Sequence, residues 1–368
     1  MTKQFIIILL ALFLLGLGTD THAQNEFAEI EQLIDTYVQT HDIPAISIGI
    51  VKDGTTTYIN RGTYARDNQR PVDEHALYQI ASVSKTFTGA IVNQLIIDKK
   101  MDINESIITY LPDDYDDKIK RKFSEVTIQH VLRHRSGLPR DSKVTRNMRK
   151  GNDPLIYNYT EDGFRTDLSR MRLQSTPGVK FSYSNFGYAL LGYIAERVSG
   201  QSYDELLQQY ITDPYHLDKT STIAATDYLV TPYRKEDRKV PTTAFVLGKL
   251  TPPSGIYSNT YDLTQLMQAQ LKAYISEDES NRLYLSSYKR SYTDGDYHYG
   301  IFQYGDGTYG HGGDIDGFAS DYWFRPKEQI GCALLTSSGG PWVQEFAVEL
   351  NKQLTALARK EMTEVSDK

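Results

Sequence analysis

The chain has 368 residues, 40% hydrophobic and 24% charged, enough to bury a sizeable core as one large domain or two small ones. A net charge of −7 argues against nucleic acid as a partner. A single cysteine, Cys332, excludes an intramolecular disulfide.

The N-terminal stretch "MTKQFIIILLALFLLGLGTDTHAQ" has Lys3, an apolar run from Phe5 to Gly18, then small residues. The run is short for a membrane span and suits the core of a secretory leader. Thr21 and Ala23 fit the −3 and −1 positions of a signal peptidase site. The expectation is a leader over 1–23, a mature start at Gln24, and a periplasmic or extracellular location; an uncleaved anchor is the alternative. Next, Phe27, Ile30, Leu33, Ile34 and Val38 recur at helical spacing. Ile46, Ile48 and Ile50 then alternate, and Asp53-Gly54 marks a hairpin turn, so antiparallel strands follow the helix.

The middle of the chain reads mostly helical. "TIQHVLRHRSGLP" predicts a short helix stopped by Gly137 and Pro139, and "FGYALLGYIAERVSGQSYDELLQQYI" predicts two helices broken at Gly200. Residues 140–176 are polar and weakly periodic, so loop with some helix is expected there. Toward the C-terminus "YHYGIFQYGDGTYGHGG", "GFASDYWFRP" and "QIGCALLTSS" read as strands, the last placing Cys332 in a buried strand. A helix starting at Pro341 follows, with Val343, Phe346, Leu350, Leu354 and Leu357 on one face. The implied fold is α/β: an antiparallel sheet flanked by helices, built from residues 24–80 and 250–362. A mostly helical domain over 81–249 is inserted between these parts, and 363–368 form a tail.

Chemistry is concentrated in three short stretches. In "QIASVSKTFTG" the apolar residues Val83, Phe87, Ile91 and Leu95 set a helical phase. Ser82 then lies at the helix start, with Lys85 one turn on and facing the same way, while Ser84 points elsewhere. A serine hydroxyl needs a base, and a desolvated lysine can supply one. The bland alternative is a serine cap on an ordinary helix. Ser286 and Lys289 repeat the S-x-x-K spacing in strand-prone "LYLSSYKRSY", where residues three apart face opposite sides. In "FSYSNFGYALLG", Tyr183-Ser184-Asn185 enters a helix, offering a phenol for proton transfer and an amide for orientation. Tyr58 and Tyr257 begin similar Y-x-N triplets, and Tyr257 is the rival to Tyr183. In "TYGHGGDIDGF", His311-Gly312-Gly313 lies on a strand whose glycines permit close approach of a ligand. His130 and His134 stand four apart, but no H-E-x-x-H accompanies them.

The ordered set Ser82-Val83-Ser84-Lys85, Tyr183-Ser184-Asn185, His311-Gly312-Gly313 resembles the serine β-lactamase and penicillin-binding superfamily. Within it, the chain is similar to the branch of class C β-lactamases, DD-peptidases, D-aminopeptidases and family VIII esterases. The words "TIQHVLRHRSGLP", "TPGVKFSYSNFGYALLGYIAERVSGQSYDELL" and "SGIYSNTYDLTQL" extend the likeness over most of the chain. The resemblance implies Ser82 as acylated nucleophile, Lys85 as its base and Tyr183 as proton relay. It implies that Asn185 orients Lys85 and binds substrate, and that His311 and Gly313 line the cleft. The backbone N–H groups of Ser82 and Asp314 would form the oxyanion hole. No cofactor or metal enters this chemistry. The implied substrates are short amides or esters, peptidoglycan fragments first, with β-lactams as acylating ligands. The alternatives are a class C-like β-lactamase, a broad carboxylesterase, or a non-catalytic penicillin-binding sensor. His-Gly-Gly in place of Lys-Thr-Gly points away from efficient antibiotic hydrolysis, because histidine is mostly neutral near pH 7.

Overall fold

A computed structural model describes residues 27–143, 159–276 and 297–366, with side chains as far as residue 360. The leader expected over 1–23 and the Ser286–Lys289 repeat lie outside the described residues. The first helix, α1 (Ala28–His41), buries Ile30 and Ile34. It leads into strands β1 (Ala45–Lys52) and β2 (Thr55–Gly62). Asp53 and Gly54 both have positive φ, 48° and 77°, as a two-residue turn matching the twist of the strands requires.

The C-terminal part supplies β5 (Tyr297–His298), β6 (Ile301–Gln303), β7 (Tyr309–Ile315), β8 (Phe318–Arg325) and β9 (Ile330–Thr336). These join the N-terminal hairpin in one sheet of seven antiparallel strands, ordered β2-β1-β9-β8-β7-β6-β5. The pairing of β1 with β9 sets Ile50 opposite Cys332. Chain segments nearly three hundred residues apart therefore close the sheet. A second, two-stranded element pairs β3 (Tyr78–Gln79) with β4 (Tyr257–Ser258).

On one face of the large sheet, α1 and the C-terminal helix α10 (Pro341–Ser366) cover Ile46, Ile48, Ile50, Trp323, Cys332 and Leu334. Phe346, Leu350 and Leu354 of α10 are fully buried there, as the helical spacing predicts. The helix continues to Ser366, into the stretch expected as a tail. The opposite face carries α9 (Thr260–Ser276), so β1 is buried on both sides. Its alternation of Ile with Ser47 and Gly49 therefore does not mark an exposed face. A side chain at Gly49 would meet the Thr264 methyl at 2.6 Å, and the small residues admit α9.

The intervening chain is helical, as expected. It includes α2 (Ser84–Ile97), α3 (Asp117–Phe123), α4 (Ile128–Leu132), α5 (Glu161–Arg170), α6 (Asn185–Ser199), α7 (Tyr203–Leu207) and the single turn α8 (Thr251–Ser254). Gly200, with φ 74°, ends α6 where the sequence places the break. α2 runs through the middle of this part and buries eleven residues, packed on α6 and α8. The nucleophile candidate sits at its N-terminal end, between the helical layer and β7.

The rear layer and the cleft are separate structural problems, which gives a direct check. Phe346→Ala, which empties a fully buried site against Tyr37, should cost about 3–5 kcal/mol in denaturant unfolding. Labelling of Ser82 by an acylating probe without denaturant should persist, because Phe346 lies on the far side of the sheet. Lost labelling with an unchanged unfolding midpoint would contradict this division.

Candidate active site

Ser82 lies in a single 3-10 turn (Ala81–Val83) that feeds directly into α2. Ala81 is held at φ +46°, a region that alanine seldom adopts, so the turn is fixed from outside rather than by its own preference. Four contacts hold it. The Ile80 N–H donates to the Ile256 carbonyl at 2.9 Å, and Ser320 of β8 donates through its Oγ to the Ile80 carbonyl at 2.7 Å. The Val83 N–H donates to Ile80 at 3.1 Å, and Ser84 Oγ accepts the Ile256 N–H at 3.1 Å. Ser84, the other serine of the stretch, is thus buried and structural, and Ser82 is left partly open to the cleft.

Lys85 has no exposed surface. Its Nζ donates to Ser82 Oγ at 3.2 Å and to the Pro253 carbonyl at 2.8 Å. It also stands over the rings of Tyr183 and Tyr188, at 4.9 and 5.9 Å from their centroids. The Pro253 carbonyl belongs to α8, which reaches the lysine because Gly192 of α6 has no side chain to block Pro252. Nothing in a sequence marks a backbone carbonyl as a ligand for a lysine, and this partner was not foreseen.

Tyr183 and Asn185 flank Ser184, the cap of α6. Ser184 Oγ accepts the Gly187 N–H at 2.9 Å and donates to the Pro139 carbonyl at 2.6 Å, so both neighbours are fixed in direction. Asn185 donates through Nδ2 to Asp141 Oδ1 at 2.8 Å. A carboxylate only accepts, so the amide must turn its NH2 to Asp141, and its Oδ1 is buried without a hydrogen-bond partner among the described residues. Asp141 was not picked out in the sequence. Neither was the role of His134, which lies past the end of α4 at φ 54°. Its Nδ1 accepts the Ser184 N–H at 3.0 Å and its ring packs on Tyr183 with centroids 4.3 Å apart. His130 instead caps α4 with Thr127. Tyr257, the rival tyrosine, donates its hydroxyl to the Phe245 carbonyl, and Tyr58 bonds Thr264 on the outer hairpin.

His311, Gly313 and Asp314 come from β7. Among the described residues this strand pairs with β6 at Tyr309 and Gly310, and from His311 onward its outer edge meets the Ser82 turn. Alternation sends His311 and Gly313 toward the turn and Gly312 and Asp314 away from it. A side chain at Gly313 would come within 2.6 Å of the Ile80 carbonyl and 2.9 Å of the Ser82 nitrogen. Glycine is therefore what permits the strand to reach the Ser82 turn. The Asp314 carboxylate lies by Gly339, so Asp314 can serve the cleft only through its backbone. His311 Nδ1 meets the Gly312 carbonyl at 2.6 Å, which assigns the proton to Nδ1. Its bare Nε2 faces the Tyr183 hydroxyl at 3.4 Å. Burial, with the Lys85 charge second, lowers the His311 pKa to about 3, so the ring is neutral at physiological pH. Burial likewise pushes His134 well below the ordinary histidine range, with help from Lys85.

These features yield two checks. Gly313→Ala should slow labelling of Ser82 by about 10²-fold, since the added methyl displaces the turn that carries Ser82 and its backbone N–H. Wild-type labelling would contradict the close packing of β7. The second concerns pH. Both imidazoles are neutral when folded and gain a proton on unfolding below about pH 6.5. A lowered folded pKa means their contribution is complete above that pH and is lost as pH falls through each folded pKa, about 3 for His311. Melting temperature should fall from pH 7 to pH 4, and His311→Gln should flatten part of the slope. An unaltered slope in that variant would contradict the assignment.

The chain and its fold have counterparts among known proteins. A search of curated proteins finds the protein flp of Staphylococcus aureus strain MW2, 28% identical over 349 residues covering 89% of this chain. The chain spans 66% of the length of that relative. A β-lactamase of Providencia stuartii is 25% identical over 253 residues, covering 67% of this chain and 60% of its own length. Among solved structures, an octameric penicillin-binding protein homologue from Pyrococcus abyssi superposes with a TM-score of 0.72 at 24% identity, covering 90% of this chain and 80% of the other. That likeness establishes the shared fold. The beta-lactamase family model matches residues 30–356, and on that match the chain belongs to the β-lactamase family.

Proposed function

We propose that this protein is an exported serine hydrolase that forms an acyl-enzyme on Ser82. Its preferred substrates are short amides of the cell-wall type, peptides ending in D-amino acids, in the manner of a DD-peptidase or D-aminopeptidase. The observation that carries the reading is the 3.2 Å contact between Lys85 Nζ and Ser82 Oγ in a place where the lysine is wholly buried. Export rests on the leader read in the sequence over 1–23.

In this reading Ser82 Oγ attacks the substrate carbonyl, and its proton passes into the Lys85–Tyr183 pair. The carbonyl oxygen takes up negative charge and is received by the backbone N–H groups of Ser82 and Asp314. Collapse of the tetrahedral intermediate breaks the C–N or C–O bond, and the Tyr183 hydroxyl protonates the departing group. Water then attacks the ester, gives its proton to the same pair, and releases the acid and Ser82. Tyr183 suits this task because Lys85 and His311 both contact it and His134 holds its ring in place.

The choice of peptides over antibiotics is supported by His311. His-Gly-Gly stands where β-lactamases carry Lys-Thr-Gly, and the neutral ring gives this position of β7 no positive charge. Penicillin would acylate Ser82 and leave slowly. The β-lactamase likeness keeps rapid turnover as the second reading.

The test is to incubate the mature protein with a fluorescent penicillin and with a fluorophosphonate, and to locate the adduct by mass spectrometry. An adduct on Ser82, absent in Ser82→Ala, is expected, with slow nitrocefin hydrolysis. No adduct with either reagent would refute the hydrolase reading. Rapid nitrocefin hydrolysis would replace the peptidase reading with that of a β-lactamase.

A further inference from the structure

Arg140 is a charged group at the site that the acyl-transfer steps above do not use. It follows the Gly137–Pro139 turn, and its carbonyl accepts the N–H groups of Asn185 and Phe186 at 2.7 and 3.2 Å. Its backbone is thereby pinned to the start of α6. The side chain is 61% exposed, yet its Cζ stands 4.8 Å from the centroid of the Tyr183 ring. Its ion contact among the described residues is Asp141, at 4.0 Å, the outer limit of such a pair. Asp141 Oδ1 is already engaged by Asn185.

A guanidinium resting on an aromatic ring keeps its edge N–H donors free, in a fork that matches a carboxylate. Lys85 touches the same ring, so the guanidinium lies one phenol away from the Lys85–Ser82 pair. Lys85 itself is sealed from solvent and committed to Ser82 and Pro253. A substrate anion entering the cleft therefore meets Arg140.

We propose that Arg140 is the specificity residue of this cleft and binds the terminal carboxylate of the substrate's leaving residue. The proposal rests on the reading of the Ser82 cleft as the substrate site, but binding can be measured without turnover. In Ser82→Ala, the dissociation constants of N-acetyl-D-alanyl-D-alanine and of its C-terminal amide are compared by calorimetry. The acid should bind about tenfold more tightly than the amide, the preference one charge-assisted contact supplies. Adding Arg140→Gln should bring the ratio close to one, and Arg140→Lys should restore part of it. Equal binding of acid and amide with Arg140 present, weak binding of both included, would overturn the proposal. So would an unchanged ratio in Arg140→Gln. Failure of the Ser82 labelling experiment refutes the hydrolase reading separately and leaves this ratio measurable.

Discussion

A lysine with no exposed surface is an expensive thing to keep in a protein. Lys85 is kept because its surroundings are built for it: the Pro253 carbonyl, the Ser82 hydroxyl and the faces of Tyr183 and Tyr188. These come from three pieces of chain, and each piece is held by packing of its own. α8 reaches the lysine through the gap left by Gly192. Tyr183 is aimed by Ser184 below it and by the ring of His134 beside it. Tyr188 donates to the Leu132 carbonyl and ties α6 to α4. Removing the lysine would leave a set of oriented acceptors and rings with nothing to receive.

The sheet has a narrower task. It delivers one strand edge to one turn. β7 loses its partner β6 after Gly310, and the freed edge is pressed against the Ser82 turn through Gly313. Ser320 on β8 anchors the same turn from the next strand. The closure of β1 on β9 stabilises this frame, and α1, α9 and α10 give it two covered faces. Residues 225–250, which carry no readable pattern, contribute the Phe245 carbonyl that both Gln79 and Tyr257 bind. They also contribute Tyr233, which bonds Ser337 beyond the end of β9.

Much of this was legible in the sequence, for identifiable reasons. Helical phase separates Ser82 from Ser84, because residues three apart share a face of a helix and residues one apart do not. The hairpin at Asp53-Gly54 and the break at Gly200 are visible because few residues tolerate positive φ. What escaped notice has no local signature. A carbonyl such as that of Pro253 belongs to every residue type. His134 and Arg140 lie in an ordinary helix-to-turn stretch, and they matter only because α6 is folded against them. Asn185 was expected to orient Lys85, and its amide is held by Asp141, forty-four residues earlier in the chain. In β1 the alternation was legible but its meaning was not, since Gly49 is small to make room for α9 rather than to face water.

The central claim is that Ser82, Lys85 and Tyr183 act as one unit. It is tested most directly by a double-mutant cycle on the rate at which fluorophosphonate modifies Ser82, using Lys85→Met, Tyr183→Phe and the pair. If the two groups share one proton path, each single variant should slow the reaction by about 10³-fold, and the double variant should be little slower than either. Losses that multiply, or a Lys85→Met variant that reacts at the wild-type rate, would contradict it.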